Sequence, residues 1–391
     1  MQTSTCRPKD QLSDGFVSQS GTVITIHTDA SIFGRLRSEW DSLRKRDSDQ
    51  NPFLTCDWFA CWWRAFGGGR TLFLVTVRRG RHLRAILPLM LERSWQYGIP
   101  LRRLSAIGND HTPCFDLIRD GDDEELHRAV WDHLMTLQSK WDVLDLPRLN
   151  AGSISTDSFV RLATEQGVQY NLWEQAPRSP WIDIQQCWDD YLDSRSAGFR
   201  KTLRRKMRRL SAAGKVGLET VTGPEALAQA LADGLHIEAD GWKSAHRTAI
   251  LSQNSVSDFY TELAHIMAAR GQLRLHFLTL DDVRIAFDYS IIANRCLYSL
   301  KAGHRSKHAR FSPGALLLGL ILAGAHEEGL IGMDLLGDSD EFKMQWTDST
   351  RTHQWLHCYS ESMRGRWWKT VKCRVYPTLR AARSVIETAP P

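Results

Sequence analysis

The chain has no CxxC pair, no GxSxG turn, and no apolar run longer than Ala315–Ala325, eleven residues. The first absence, across eight scattered cysteines (6, 56, 61, 114, 187, 296, 358 and 373), argues against a stapled secreted fold and for buried reduced thiols. The second argues against a serine acyltransferase, whose nucleophile needs that strained turn. Eleven residues cannot cross a hydrocarbon layer of about 30 Å. The opening MQTSTCRPKDQLSDGF lacks the apolar centre of a secretory signal. A cytoplasmic protein is expected, with attachment at the inner face of a membrane left open. Charge of one sign is barely in excess: the net +5 permits an anionic partner without requiring nucleic acid.

What is present suits a globular protein of two domains: 391 residues, 42% hydrophobic and 24% charged. Residues 1–20 look like a loose polar tail. GTVITIH (21–27) alternates as a strand, and helices are expected over 31–46 and over 52–67, the second beginning at Pro52. TLFLVTVRRGRHLRAILPLMLE (71–92) reads as strand, turn at Gly80, strand. FDLI, a helix over 122–139, WDVLDLP (141–147), the helical TDSFVRLATEQG and a strand near Tyr170 complete the first half. The second half offers helices over 186–213, 223–242 and 257–270, then strand, tight turn and strand over 273–293, then CLYSLKA. An apolar helix over 313–329, the strand IGMDLLG and the strand THQWLHCYS follow, and a basic helix closes the chain. Strand pair, strand, helix, and a strand ending in Asp and Leu (WDVLDLP; IGMDLLG) occur once in each half. A tandem duplication explains that order better than a single sheet of a dozen strands. The fold class is therefore α/β (α+β), two domains over 21–179 and 180–391, each a mixed sheet flanked by helices.

KAGHRSKHARFSPGALLLG (301–319) is the most pointed stretch. Lys301, His304, Arg305, Lys307, His308 and Arg310 crowd ten positions without an acid. Ser312 suits an N-cap, Pro313 the first helical position, and Gly314, before Ala315, lets a ligand approach the backbone. A helix start preceded by such a loop suits a phosphate-bearing ligand; a solvated loop before an ordinary helix is the competing reading. The matching helix of the first half follows DLIRDGDDEEL, acidic and without Pro-Gly, as expected if only the second copy binds the anion.

That order of elements resembles the cofactor half of GNAT (Gcn5-related) acyltransferases. FSPGALLL, GMDLLGDSDEFKMQW, WDSL…PFLTCDWFACWW and EADGWKSAHRTAI followed by FYTEL resemble the CelD-like branch, related to the Fem-type tandem GNAT transferases. The resemblance runs from about residue 23 to 360. It implies acyl-CoA as cosubstrate, with its pyrophosphate at Lys301, His304, Arg305, Arg310, Ser312, Pro313, Gly314 and Ala315. It also implies a backbone N–H on the strand Arg284–Ala293 polarising the thioester carbonyl. One departure is that Arg310 stands four residues before Gly314, whereas the usual loop is Q/R-x-x-G-x-G/A.

Acyl transfer to an amine needs a base, an oxyanion donor and an acid for the leaving thiolate. Glu238, four residues before Trp242 and next to Lys243, is one base candidate; a surface Glu–Lys pair is the bland alternative. Asp334, at a strand end where α/β ligands gather, is the other, against a structural carboxylate. Lys343 could hold an anion or polarise the carbonyl, and Trp242, Lys243, Asp338 and Trp346 are expected at the substrate. His353 and His357 flank an apolar pair with no third ligand, so no metal is expected. GFRKTLRRKMRRLSAAGK (198–215) carries eight Lys/Arg around the stripe Phe199, Leu203, Met207, Leu210. It packs as an ordinary helix, lies on an anionic membrane, or touches RNA; the modest net charge and the lack of interleaved aromatics disfavour RNA.

The expected activity is N-acyl transfer from acyl-CoA to an envelope-, polysaccharide- or lipid-related amine, a sphingoid base among the candidates. The alternatives are an aminoacyl-tRNA-dependent Fem-like transferase and a non-catalytic accessory protein of exopolysaccharide synthesis.

Overall fold

The computed structural model describes residues 16–17, 21–47, 51–96, 98–184, 187–240 and 250–375, except the side chains of 16–17, 175–177 and 374–375. The strands are β1 (Phe16–Val17), β2 (Thr22–His27), β3 (Thr71–Arg79), β4 (His82–Gln96), β5 (Ile99–Ala106), β6 (Ile118–Arg119), β7 (Val143–Asn150) and β8 (Gln169–Asp183). They continue with β9 (Val216–Val221), β10 (Leu273–Leu280), β11 (Val283–Ala293), β12 (Cys296–His304), β13 (Gly332–Asp334) and β14 (Ser349–Tyr359). The helices are α1 (Ile32–Arg44), α2 (Cys56–Phe66), α3 (Glu124–Thr136), α4 (Ile154–Glu165), α5 (Trp188–Ser194) and α6 (Ala197–Ser211). After them come α7 (Leu227–Ala239), α8 (Asn254–Ala269), α9 (Pro313–Glu327), α10 (Glu341–Met344) and α11 (Met363–Thr370).

The repeat is visible in the pairing. In the first half β2, β3, β4 and β5 run antiparallel, and β7 then joins β5 in parallel after α3 crosses over. In the second half β9, β10, β11 and β12 run antiparallel, and β13 joins β12 in parallel after α9. The two sheets are not separate. β14, from the end of the chain, lies between β7 and β8, while β8 reaches on to pair with β13. Each half thus lends a strand to the other, and one sheet of 14 strands results. A division at residue 180 would fall inside β8.

Pro52 opens a 3₁₀ turn, Pro52–Leu54, and not the helix itself. α2 starts at Cys56, where the Thr55 hydroxyl accepts the Trp58 N–H at 3.3 Å. Of FDLI, Ile118 pairs with β4 together with Arg119, and Phe115 makes an isolated parallel bridge to Leu149.

One face of the sheet carries α1, α2, α7 and α8 over a core drawn from both halves. There Trp58 and Phe66 meet Phe259 of α8 with ring centroids 5.3 and 5.5 Å apart. Arg64 pairs with Glu262 and Arg270 with the buried Asp57, so aromatic packing and charge join the halves at one seam. On the other face α9 covers the second half, and Phe199, Leu203, Met207 and Leu210 of α6 pack against that core. This apolar stripe leaves Lys201, Arg204, Arg205, Arg208 and Arg209 exposed.

Candidate active site

β12 is the axis of the site. Its parallel pairing with β13 spans only Cys296–Tyr298, because β13 ends at Asp334. Beyond that point Ser299–His304 pairs only with β11, and the sheet opens on the other side. A bulge sits where it opens: Tyr289 faces Lys301 and Ser290 faces Ser299, which leaves Leu300 as the extra residue. The expectation that β11 would offer its N–H groups is corrected here. β11 is paired along both edges, so the backbone donors available to a ligand belong to β12.

At the far end of β12 the chain makes a 3₁₀ turn, Ser306–Phe311, and enters α9. Ser312 stands at φ +52°, in the left-handed region, and its hydroxyl caps nothing, contrary to the N-cap reading. Its carbonyl instead accepts the N–H groups of Ala315 and Leu316, at 3.0 and 3.3 Å. Pro313 is buried and has no N–H, so Gly314 supplies the first backbone donor of the helix. A side chain on Gly314 would come within 3.9 Å of His304 Nδ1, so His304, Gly314 and Ala315 share one corner. Arg310 is exposed and stacks on Phe311 at 4.7 Å. His308 has its pKa lowered, first by burial and then by Lys307, Arg310 and Arg305, which marks the corner as electropositive.

Two residues expected there do other work. Arg305 donates from Nε to the Arg284 carbonyl at 3.0 Å and braces the turn. Lys301 lies on the opposite face of the sheet, its ammonium 5.4 Å from the centre of the Tyr260 ring.

That opposite face holds a buried polar cluster built by both halves. Tyr260 Oη is 3.4 Å from Nδ1 of His111, a first-half residue stacked on Phe66. Burial, and then Lys301, push the His111 pKa down to about 4, so its imidazole is neutral. Glu238 is buried on α7 and accepts the Ile250 N–H at 2.9 Å. α7 rests on β12 so closely that a Cβ at Gly303 would stand 2.5 Å from Glu238 Cα. Trp242 and Lys243 lie outside the described residues.

Asp334 marks the point where β12 and β13 part. Its Oδ1 accepts from the Ser179 hydroxyl and from the Leu336 N–H (2.9 Å), and Arg351 reaches Oδ2 at 3.6 Å. Burial raises its pKa above the ordinary carboxylate value despite the opposing pull of Ser179, the Leu336 amide, Arg351 and Lys343.

Of the other expected groups, only Trp346 is withdrawn from solvent. Lys343 donates to the carbonyls of Leu336 (2.7 Å) and Asp338 (3.1 Å), which holds a loop where Leu336 and Gly337 have φ of +48° and +61°. It clamps that loop. Asp338 is exposed beside it. Trp346 is fully buried, edge-on to Phe199 at 4.9 Å and close over Gly319, a core side chain and not a substrate contact.

Residues 197–344 match the sequence model of a family described as acetyltransferase (GNAT) domain. Over those residues the second half is similar to a GNAT domain. Solved structures of similar fold cover most of the chain. FemX aligns at 12% identity and a TM-score of 0.57, over 86% of this chain and 98% of its own. The C-terminal domain of an Agrobacterium fabrum protein named for lysylphosphatidylglycerol synthetase aligns at 13% and 0.52, over 87% and 96%. L-PGS from Bacillus licheniformis aligns at 11% and 0.50, over 83% and 92%. At such identities the likeness is one of fold. Among curated proteins none matches the sequence.

The GNAT domain and the first half differ most tellingly at one repeated position. Asp145 faces Ser105 across β5 and β7 as Asp334 faces Tyr298 across β12 and β13. Asp145 is bonded to Arg103 (2.6 Å), to His357 Nδ1 (2.9 Å) and to the Trp355 indole N–H. Although buried, it is held down to about 2 by these partners. The GNAT-domain copy lacks such a clamp and is shifted upward. Sequence reasoning missed one group beside it: Arg351, brought in by β14 from far along the chain. His353 is held near pKa 4 by burial, then Arg148, then Arg351. His357 is engaged at both ring nitrogens, by Asp145 and by the Trp368 indole (3.3 Å).

Proposed function

We propose that this chain moves an acyl group from acyl-CoA to an amine, with the donor lying along β12. The observation that carries the reading is the opening of β12 from β13 between an electropositive helix start and a buried carboxyl. The phosphates of the donor would sit at the Gly314 and Ala315 backbone with His304 and Arg310. From His304 to Ser299 the strand spans about 17 Å at 3.3 Å per residue. A pantetheine arm laid along that edge brings its thioester to the bulge near Leu300, where β12 N–H groups would hold the developing oxyanion. Asp334, with its raised pKa, would take a proton from the acceptor ammonium directly or through water. The amine nitrogen then bonds to the carbonyl carbon, the C–S bond breaks, and the thiolate leaves and is protonated. Glu238 is the alternative base, set at the phosphate end beside Gly303. The acceptor is an amine of envelope, polysaccharide or lipid metabolism, sphingoid bases among the candidates, and the reaction takes place at the cytoplasmic side. The exposed basic face of α6 favours a second reading with a polyanionic donor, an aminoacyl-tRNA.

Calorimetric titration with acetyl-CoA, palmitoyl-CoA and CoA, on the wild type and on Lys307→Ala/Arg310→Ala, tests the choice. Binding at least tenfold weaker in the double variant supports the acyl-CoA reading. No binding of any CoA species removes it and leaves the tRNA reading, for which a charged tRNA is the next titrant.

A further inference from the structure

On the α9 face of the second half, the sheet buries a carboxylate that neither donor binding nor Asp334 explains. Leu278, Ala286 and Leu297 belong to the core beneath α9. Side chains alternate along a strand, so Asp288 and Ser290, two and four residues past Ala286, and Ser299, two past Leu297, turn to that face. The register agrees: Asp288 lies opposite His276 of β10 and Ala302 of β12, and Ser290 lies opposite Ser299. Asp288, Ser290 and His276 are buried, Ser299 is partly buried, and Ala302 is exposed at the open edge. The Ser290 hydroxyl donates to Oδ1 of Asp288 and the Ser299 hydroxyl to Oδ2. His276 Nδ1 stands 3.6 Å from Oδ1, beyond the 2.7–2.9 Å or so of a charge-assisted bond, and has no hydrogen-bond partner among the described residues. A carboxylate withdrawn from water without a bonded cation is a cost to the fold. Its connection to the open edge of β12 is Ser299. The proton of that hydroxyl is committed to Asp288, so Ser299 turns lone pairs to a ligand and meets it as an acceptor. Ser299 also directly follows Tyr298, the last residue of β12 paired with β13. Asp334 is the partner of Tyr298, whose side chain belongs to the opposite core, so Asp334 and Ser299 flank the opening from the two faces of the sheet.

We propose that Ser299 and Asp288 form a shuttle that carries a proton from the amine nitrogen to the departing thiolate. This rests on the acyltransferase reading and supplies the step it leaves open, the source of the thiolate's proton. Asp334 takes the first proton, from the incoming ammonium. After attack, the nitrogen of the tetrahedral intermediate carries one proton more than the amide keeps. That proton passes to Ser299 Oγ while the Ser299 proton moves to Asp288 Oδ2. The C–S bond breaks, its electron pair stays on sulfur, and the proton returns from Asp288 through Ser299 to the thiolate. Nitrogen and sulfur are bonded to the same carbon, so one hydroxyl can reach both. Carboxylate and hydroxyl end as they began. Ser299 is thus a catalytic residue, while Asp288 acts through it and Ser290 positions Asp288.

The test follows release of CoA thiol by the full chain from acetyl-CoA or palmitoyl-CoA, with ethanolamine, glucosamine, sphinganine and hydroxylamine as amines. Ser299→Ala and Asp288→Asn should each lower kcat on the order of 100-fold, the size of a lost proton transfer, with donor KM within about threefold of wild type. The double variant should fall no further than the worse single variant, because both remove one path. Ser299→Thr, which keeps a hydroxyl, should retain part of the rate. Because the buried carboxylate costs stability, Asp288→Asn should not lower the thermal midpoint; a merely structural carboxylate would lower it and spare kcat. Should Asp288→Asn fail to fold, the Ser299 variants carry the test. An unchanged kcat in Ser299→Ala, a loss confined to KM, or losses that multiply in the double variant overturn the proposal and leave the transferase reading standing. Failure of every amine to react with the wild type also overturns it. The transferase reading itself is judged separately, by donor binding.

Discussion

Asp145 and Asp334 are the third residues of equivalent strands in the two repeats, yet their surroundings push their pKa values in opposite directions. Such divergence is how a fold separates a structural carboxylate from a reactive one. Asp334→Asn should leave the thermal midpoint within a few degrees and lower kcat on the order of 100-fold or more, the size of a lost general base. Asp145→Asn should cost about 2–3 kcal/mol in urea denaturation. That is below the cost of breaking a fully buried pair, because Arg103 is a third exposed. The pH signs differ as well. Asp145 is depressed to about 2, so its contribution is complete above the ordinary aspartate value and is lost as pH falls from about 4 toward 2. Asp334 is raised, so its base form, and with it kcat, should appear only as pH climbs through that raised value. A pH–rate profile whose acid limb stays in place in Asp334→Asn would move the base assignment to Glu238.

At the scale of elements, β12 and the start of α9 frame the proposed donor site. Gly303 is the residue where α7 touches β12, and a methyl there would meet backbone and not a flexible side chain. Gly303→Ala should therefore destabilise by about 1–3 kcal/mol, the usual cost of overpacking, and weaken donor binding with it. Calorimetry on the refolded variant reads both. Ser312 behaves oppositely to a normal cap. Because its hydroxyl caps nothing, Ser312→Ala should cost less than about 0.5 kcal/mol, where loss of a real N-cap costs about 1. The sequence placed the helix, its proline and the basic loop correctly. It placed Arg305 and Lys301 in the phosphate site because neighbours in sequence look like neighbours in space. In a strand successive residues alternate faces, which turns Lys301 away from His304, and Arg305 lies past the strand end, where it braces the turn.

The whole molecule is knitted by exchange. β14 completes the first half and β8 reaches into the second, and one core runs beneath both. Expressed separately, residues 21–179 and 180–375 should fail to give soluble folded species, since each would expose a long unpaired edge. The intact chain should unfold in a single calorimetric transition; two resolved peaks would show that the exchanged strands do not couple the halves.

The sequence by itself determined the elements, the repeat and the electropositive helix start, because alternation, helical spacing and Ser-Pro-Gly chemistry act over a few neighbouring residues. The family resemblance came from the same local stretches. Only the tertiary structure decided which of the two similarly placed Asp-Leu pairs is clamped. It also decided that Ser179 and Arg351 reach the other. The reason is physical: a carboxyl's pKa is set by the charges and donors within a few ångströms. For Asp145 these come from β5 and β14, and for Asp334 from β8 and β14. Strand order decides those neighbours, and the strand exchange that fixes it leaves no mark on the local sequence.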